Sequence, residues 1–309
     1  MTSFGHLDRM KLINPEVRIE NTNYCNSKCV ICPREKMTRQ KTIMPMDHFA
    51  YLAKQAKDLG AKTISVFGFG EPLIDNEIVE KIRLCKELDL KTFITTNGSL
   101  LSMQMAFDLL KAGLTDIRFS VHGVWDNYES VHKGLKFDKL ERNLANFRAI
   151  RDKRYPFCKI SISVIPMNGE KVEDIKERWK DFDLEIWKPH NWVGGREYRN
   201  VTNKRKKTCG RPQSGPVQIQ ADGKVIPCCF ITNGEIILGD TYKNTIDQIL
   251  KSDPYERLRE KHNTGDLAGL VCETCDQLNI GDSPLLFSSI DPTLEAGKTS
   301  STKFKLKEK

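Results

Sequence analysis

The chain has 309 residues, of which 39% are hydrophobic, 29% charged and 8% aromatic, and its formal net charge is +8. This composition is typical of a folded globular protein and excludes a disordered or fibrous one. No uncharged apolar run approaches the roughly 18 residues that cross a bilayer, and the first residues contain no apolar signal segment. We therefore expect a cytoplasmic protein without a membrane partner.

Short β-branched runs alternate with stretches of helical periodicity between residues 15 and 195, after an N-terminal extension of residues 1–14. This alternation predicts repeated βα units. The predicted strands are residues 17–22, 63–67, 91–95, 116–121, 159–165 and 184–188. Parallel strands joined by helices form a closed or partial barrel, whose functional loops follow the carboxyl ends of the strands.

Chemistry-bearing residues follow the first four predicted strands, so the sequence places them on one rim of the barrel. In chain order they are Cys25, Cys29 and Cys32, then Gly70 and Glu71, then Asn97, then His122, which comes just after Ser120 near the end of the fourth strand.

The cysteine triplet predicts an iron–sulfur cluster. A [4Fe-4S] cluster usually takes four cysteines, so three thiolates leave one iron open to another ligand. The amino and carboxylate groups of S-adenosylmethionine could occupy that iron. A zinc site or buried free cysteines are the alternatives.

The segments 25–32 and 70–73 resemble the motifs of the radical S-adenosylmethionine (SAM) superfamily. This resemblance implies a partial (β/α)6 TIM-type barrel for residues 15–195, with SAM and a [4Fe-4S] cluster as cofactors. It also implies that Ile31 contacts the adenine, that Gly70 and Glu71 hold the methionine moiety, that Asn97 lies near the site, and that Ser120 contacts the ribose or carboxylate. Two positions depart from the family pattern, because Ile31 replaces a frequent aromatic residue and Phe69 replaces a frequent glycine.

A second set of cysteines follows residue 195, where the βα pattern ends. Asp222-Gly223 lies between two β-branched runs and predicts a hairpin. Cys209, Cys228, Cys272 and Cys275 form a complete four-ligand set around it. The arrangement resembles the SPASM/Twitch auxiliary-cluster domain and implies a second [4Fe-4S] cluster in residues 196–280, in a hairpin-plus-helix domain. The cysteine spacing is similar to that of the 2-deoxy-scyllo-inosamine dehydrogenase group, and structural zinc is the alternative.

Beyond residue 280 the chain is rich in Ser, Thr and Lys. This composition predicts a poorly ordered basic tail over residues 281–309.

A complete thiolate set leaves no iron open to a substrate, so the second cluster fits a role in electron transfer and favours an oxidation. We expect dehydrogenation of a sugar-like or cyclitol-like small molecule, or modification of a peptide. His122 and His190 are candidate bases, and His190, Asn191 and Trp192 are candidate substrate contacts because they follow the sixth strand. The alternatives are a radical epimerase that uses Cys229 as hydrogen donor, and a non-catalytic iron–sulfur or zinc protein.

The chemistry implies an external electron donor such as flavodoxin or ferredoxin. Such donors are usually acidic, which suits a net charge of +8. Nucleic acid is not an expected partner, because the basic runs lack the interleaved aromatic residues that stack on bases.

Overall fold

The computed structural model describes residues 11–281 and 283–290. Its first six strands pair in parallel, each with the next along the chain, and confirm the predicted partial barrel. They are β1 (Glu16–Ile19), β2 (Thr63–Val66), β3 (Lys91–Thr96), β4 (Asp116–Ser120), β5 (Lys159–Val164) and β6 (Asp183–Trp187).

Six helices connect these strands, with two of them between β4 and β5, and bury their apolar stripes against the sheet. They are α1 (Met46–Asp58), α2 (Ile78–Glu87), α3 (Met103–Ala112), α4 (Trp125–Val131), α5 (Phe137–Arg154) and α6 (Val172–Arg178). Capping residues explain where helix α3 begins and ends. The Ser102 side chain accepts a hydrogen bond from the Met105 amide at its start, and Gly113, with φ of 106°, ends it in the left-handed region.

The auxiliary region continues the barrel sheet. Its elements are α7 (Arg211–Ser214), β7 (Val217–Ile219), β8 (Lys224–Ile226), β9 (Gly239–Asp240), α8 (Ile246–Leu250) and α9 (Asp253–Thr264). Strand β7 pairs in parallel with β1, and β8 pairs antiparallel with both β7 and β9. The predicted hairpin is present, and Gly223 takes a φ of 80° at its turn.

The tail prediction is wrong over one short segment. Residues 285–288 form a strand, β10 (Leu285–Ser288), which pairs antiparallel with β6. Leu285 is buried there, and the free edge of β6 supplies the hydrogen-bonding partners that composition alone does not reveal. Residues 1–10, 282 and 291–309, which include most of the predicted tail and most of the N-terminal extension, lie outside the described residues.

None of the helices in residues 11–281 and 283–290 combines the length and the apolar character that crossing a membrane requires.

Candidate active site

The loop that carries the cysteine triplet is held against the end of α4 and the residues that follow it. The Lys28 and Val30 amides donate to the carbonyls of Lys133 and Val131 at 3.1 and 2.9 Å. Inside the loop, the Cys32 amide donates to the Cys29 carbonyl at 3.1 Å. These hydrogen bonds hold the backbone of the cysteine loop in place.

The triplet opens into a cavity of about 990 Å³ within the barrel, which we call the central cavity. Most of the predicted site residues line it. They are Cys25, Cys29, Ile31, Cys32, Gly70, Glu71, Asn97, Ser120, His122, His190, Trp192 and Cys229. The carboxyl ends of the strands thus bring together residues that are up to 204 positions apart in the chain.

The three thiols suit an iron–sulfur cluster. Burial raises the pKa of Cys25, raises that of Cys29 to about 12 and raises that of Cys32 to about 11. Iron binds cysteine as the thiolate, so a bound cluster would remove these protons. Cys25 and Cys32 both contribute to the shift at Cys29, so the three sulfurs lie close enough together to serve as one ligand set.

Gly70 lies where two loop backbones meet. A Cβ atom at this position would lie 2.2 Å from the Thr22 carbonyl oxygen and 2.6 Å from the Tyr24 carbonyl oxygen. The next amide, that of Glu71, donates to the same Tyr24 oxygen at 2.8 Å. Only glycine permits this approach, so residues 70 and 71 form a cradle directly beside the cysteine loop.

The Glu71 carboxyl group is buried and braces the turn after β3. Its oxygens accept hydrogen bonds from the Thr96 hydroxyl at 2.6 Å and from the Asn97 amide at 2.8 Å. Burial raises the pKa of Glu71 from its ordinary value of 4.5 to about 7, although these hydrogen bonds act in the opposite direction. Glu71 thus shapes the cavity wall through residues 96 and 97 as well as facing the cavity itself.

The protonation of Glu71 is directly measurable. Because its pKa in the folded chain is about 7, we expect an infrared band of a protonated carboxyl group at pH 6 that disappears by about pH 8. The Glu71→Gln variant should lack this band, whereas Glu77→Gln on the surface should retain it. Since the folded form binds the proton more tightly, the contribution of this group to stability should fall as pH rises from 4.5 to about 7. A difference spectrum without a pH-dependent band would contradict the assignment.

Asn97 joins its turn to the cysteine loop. Its Nδ2 donates to Oδ1 of Asn26 at 3.0 Å, and its Oδ1 accepts from the Ser99 hydroxyl at 2.6 Å. Asn26 in turn donates to the Ser99 hydroxyl oxygen at 2.8 Å. The three side chains form a closed network at the rim.

Ile31 lies in a small apolar cluster with Val131 and Ile165. Its side chain also faces the central cavity. This surface suits the apolar contact with adenine that the family resemblance implies.

His122 is placed for hydrogen bonding rather than for accepting a proton. Its Nδ1 accepts a hydrogen bond from the Ile165 amide at 3.0 Å. Burial lowers the pKa of His122 well below its ordinary value, so the ring is neutral and its one proton lies on Nε2. The candidate base role is therefore not supported, because one nitrogen is occupied and the other carries the proton.

His190 belongs to an aromatic group in the wall of the central cavity. Its ring centroid lies 5.0 Å from that of Trp192 and 4.9 Å from that of Phe230. Its Nδ1 is buried and has no hydrogen-bond partner among the described residues. Burial lowers the pKa of His190 to about 4, so the ring is neutral at pH 7 and retains a lone pair.

Asn191 does not line the central cavity. Its Oδ1 accepts from the Tyr198 and Arg199 amides at 2.9 and 2.8 Å, and its Nδ2 donates to the Arg199 carbonyl at 2.6 Å. The predicted substrate contact at Asn191 is therefore corrected to a brace inside the loop that follows β6.

The same loop clamps the cysteine loop through a residue that sequence reasoning missed. The Arg196 guanidinium donates to the Val30 carbonyl at 3.0 Å and also to the Cys32 carbonyl.

The loop that carries Arg196 also has a strained backbone, since Trp192 and Val193 have φ values of 48° and 54°. Each such residue costs about 1–3 kcal/mol and is typical of functional sites.

The four auxiliary cysteines lie near one another beside the hairpin. Burial raises the pKa of Cys272 to about 12, and the neighbouring thiols of Cys209 and Cys275 add to the increase. The pKa of Cys228 is raised well above its ordinary value, again chiefly by burial. In the described part of the chain no three His, Cys, Asp or Glu side chains converge as a single metal ion requires.

Arg211 faces this set and was also missed. Its guanidinium lies 4.8 Å from the Phe230 ring centroid and lines the central cavity. Burial acts to lower its pKa, but the thiols of Cys229, Cys209 and Cys228 outweigh burial and raise the pKa. In the sequence, only its position two residues after Cys209 indicates that Arg211 lies near the auxiliary cysteines.

Comparison with known families agrees with this geometry. Residues 19–178 match the radical SAM superfamily, and residues 196–276 match the SPASM iron–sulfur cluster-binding domain. The chain belongs to the radical SAM superfamily. It is therefore an enzyme. Its cofactors are SAM and iron–sulfur clusters in both regions, as the two cysteine sets predicted. The non-catalytic alternative is wrong.

Curated relatives of this radical SAM chain include GTP 3′,8-cyclases. The enzyme of Desulforamulus reducens is 31% identical over 177 residues, which are 55% of this chain and 53% of the relative. That of Marinobacter nauticus is 32% identical over 165 residues, 52% of this chain and 48% of the relative. The matches span about half the length of these relatives.

Solved structures share the fold of this radical SAM chain. BtrN in complex with AdoMet and 2-DOIA has a TM-score of 0.60 and 19% identity, covering 86% of this chain and 93% of BtrN. Streptococcus suis SuiB bound to precursor peptide SuiA has a TM-score of 0.66 and 17% identity, covering 87% of this chain and 71% of SuiB.

Proposed function

We propose that this radical SAM enzyme dehydrogenates a polar small molecule, of sugar or cyclitol type. The observation that carries the proposal is a single cavity with residues of both cluster regions in its wall. The cysteine triplet lines one part of it, and Cys229 and Arg211 from the auxiliary region line another. A substrate held there would be within reach of both regions.

When bound, SAM and the first cluster supply a 5′-deoxyadenosyl radical that takes a hydrogen atom from a substrate carbon. Loss of one further proton and one electron from the substrate would complete a two-electron oxidation. The thiols of Cys209, Cys228, Cys272 and Cys275 would hold the acceptor for that electron. A neutral His190 at the cavity wall is the candidate to receive the proton.

The cavity favours a small molecule over a long peptide. Its volume of about 990 Å³ lies at the upper end of the range for small-molecule pockets. SAM has to occupy part of that volume. In the cavity wall, Trp192 and Phe230 suit a ring, and Arg211 suits an oxygen-rich substituent.

The test begins with anaerobic reconstitution, which should give about eight irons per chain. Reduction in the presence of SAM should then yield 5′-deoxyadenosine. Carbon-deuterated cyclitols and sugars are then offered, with GTP and short peptides in parallel. Deuterium in 5′-deoxyadenosine together with a carbonyl product would support the proposal. Deuterium transfer only from GTP or from a peptide would contradict the substrate class.

GTP belongs in this panel because the curated relatives are named GTP 3′,8-cyclases. Their activity is not carried over to this chain, which spans about half of their length.

Epimerisation is the second candidate, because Cys229 faces the central cavity. A thiol there would return a hydrogen atom to the substrate radical, so solvent deuterium would enter the product. Under the oxidation proposal, the carbon that loses its hydrogen becomes a carbonyl carbon and takes up no deuterium from heavy water. Cys229→Ala should then still turn over.

Turnover also requires a reductant, as radical SAM enzymes do. We propose flavodoxin or ferredoxin for this role. The net charge of +8 would favour an acidic donor of this kind.

A further inference from the structure

His132 lies directly behind the cysteine triplet. It follows the last residue of α4, and its side chain is fully enclosed, with 1% exposure. The imidazole stacks between two rings, 4.3 Å from the Tyr128 centroid and 4.9 Å from the His122 centroid. Its Nδ1 lies 3.3 Å from the Cys29 sulfur.

A backbone contact fixes which nitrogen of His132 carries the proton. The His122 amide donates to Nε2 of His132 at 3.0 Å, so Nε2 must present its lone pair. A nitrogen that accepts a hydrogen bond from an amide carries no proton, so the ring is not the doubly protonated cation. The single proton of the ring therefore lies on Nδ1, the atom that faces the sulfur.

The neighbouring hydroxyl does not fix a proton in the same way. Ser27 Oγ lies 3.1 Å from the Cys29 sulfur, but it also lies 3.2 Å from the Lys133 carbonyl oxygen. Its one proton has two acceptors to choose between. The Nδ1 proton of His132 faces the Cys29 sulfur. The ring has no second proton to donate, because Nε2 accepts from the His122 amide.

We propose that His132 is a positioning residue that donates a hydrogen bond from Nδ1 to the Cys29 thiolate and thereby raises the reduction potential of the SAM-binding cluster. Reduction adds negative charge to the cluster and its sulfurs, so a donor to sulfur stabilises the reduced form more than the oxidised form. The contact also orients the Cys29 side chain. This inference rests on the cluster assignment and does not depend on the substrate.

The test is a redox titration of the reconstituted holoenzyme, followed by electron paramagnetic resonance without substrate. The signal that changes when SAM is added identifies the cluster with the open iron. The His132→Phe variant keeps a stacking ring and removes the donor. We expect its ratio of reduced to oxidised cluster to be about tenfold lower at the wild-type midpoint, which is about 59 mV for a one-electron couple. A wild-type midpoint in this variant would overturn the proposal.

Two amide variants separate the hydrogen bond from the packing. His132→Asn places an amide nitrogen near the position of Nδ1 and should restore most of the potential. His132→Gln places it near the position of Nε2 and should not. If His132→Phe fails to load iron, the comparison of His132→Asn with His132→Gln tests the proposal instead. Equal potentials in these two variants would overturn it.

His48→Phe is the matched control. His48 is also buried, stacks on Tyr242 with centroids 3.7 Å apart, and has its Nε2 2.9 Å from the Thr241 hydroxyl. It lies on α1, away from the cysteine loop. Its replacement should leave the midpoint unchanged.

Discussion

Replacement of Cys29 by alanine is expected to abolish formation of 5′-deoxyadenosine, by more than about 100-fold, because the cofactors supply the difficult chemistry. Cys29 is the middle ligand of the triplet and the one that His132 and Ser27 contact. Two remaining thiols cannot hold the cluster, so iron should fall from about eight to about four per chain. Anaerobic iron analysis and chromatography of the nucleoside measure both effects.

Cys85→Ala is the control for this variant. Cys85 is fully buried on α2 and does not line the central cavity. Its replacement should retain about eight irons and wild-type cleavage of SAM. Loss of iron in this control, or retention of eight irons in Cys29→Ala, would contradict the ligand assignment.

Replacement of Arg211 by glutamine is expected to lower the potential of the auxiliary cluster while iron content stays at the wild-type level. The guanidinium faces the thiols of Cys209, Cys228 and Cys275, and among the described residues no carboxylate pairs with it. Removal of one such charge is worth about 1–3 kcal/mol at an effective dielectric of about 20. The reduced cluster loses more stabilisation, because it carries more negative charge.

The catalytic consequence follows from the proposed electron path. Once a substrate is known, 5′-deoxyadenosine should still form in Arg211→Gln, but the yield of oxidised product per nucleoside should fall. Arg257→Gln is the control, since this arginine is exposed on α9. An unchanged potential together with an unchanged product ratio would exclude a role for Arg211 in electron acceptance.

Local patterns were sufficient to predict the barrel and the placement of its site. The six strands agree with prediction to within a few residues, because alternating β-branched runs and helical stripes are local signals. Loops after parallel strands meet on one rim, so the cysteine triplet, Glu71 and Asn97 could be placed together before their distances were known.

The roles of polar side chains could not be read in the same way. Asn191 and His122 lie where prediction placed them, but backbone amides occupy the atoms that a substrate or a proton would need. His132 was missed because its role depends on the His122 amide and the Cys29 sulfur, which are 10 and 103 residues away. Such pairings arise only when the chain has folded.

The pairing of β7 with β1 has a consequence for folding and truncation. The strand that leads into the cysteine triplet takes its second neighbour from the auxiliary region, through the register Val17 with Val217 and Ile19 with Ile219. A fragment that ends at residue 195 would leave one side of β1 unpaired, and exposed strand edges associate with other chains. The two cluster regions are thus parts of one cooperative sheet, and we expect them to melt together rather than in sequence.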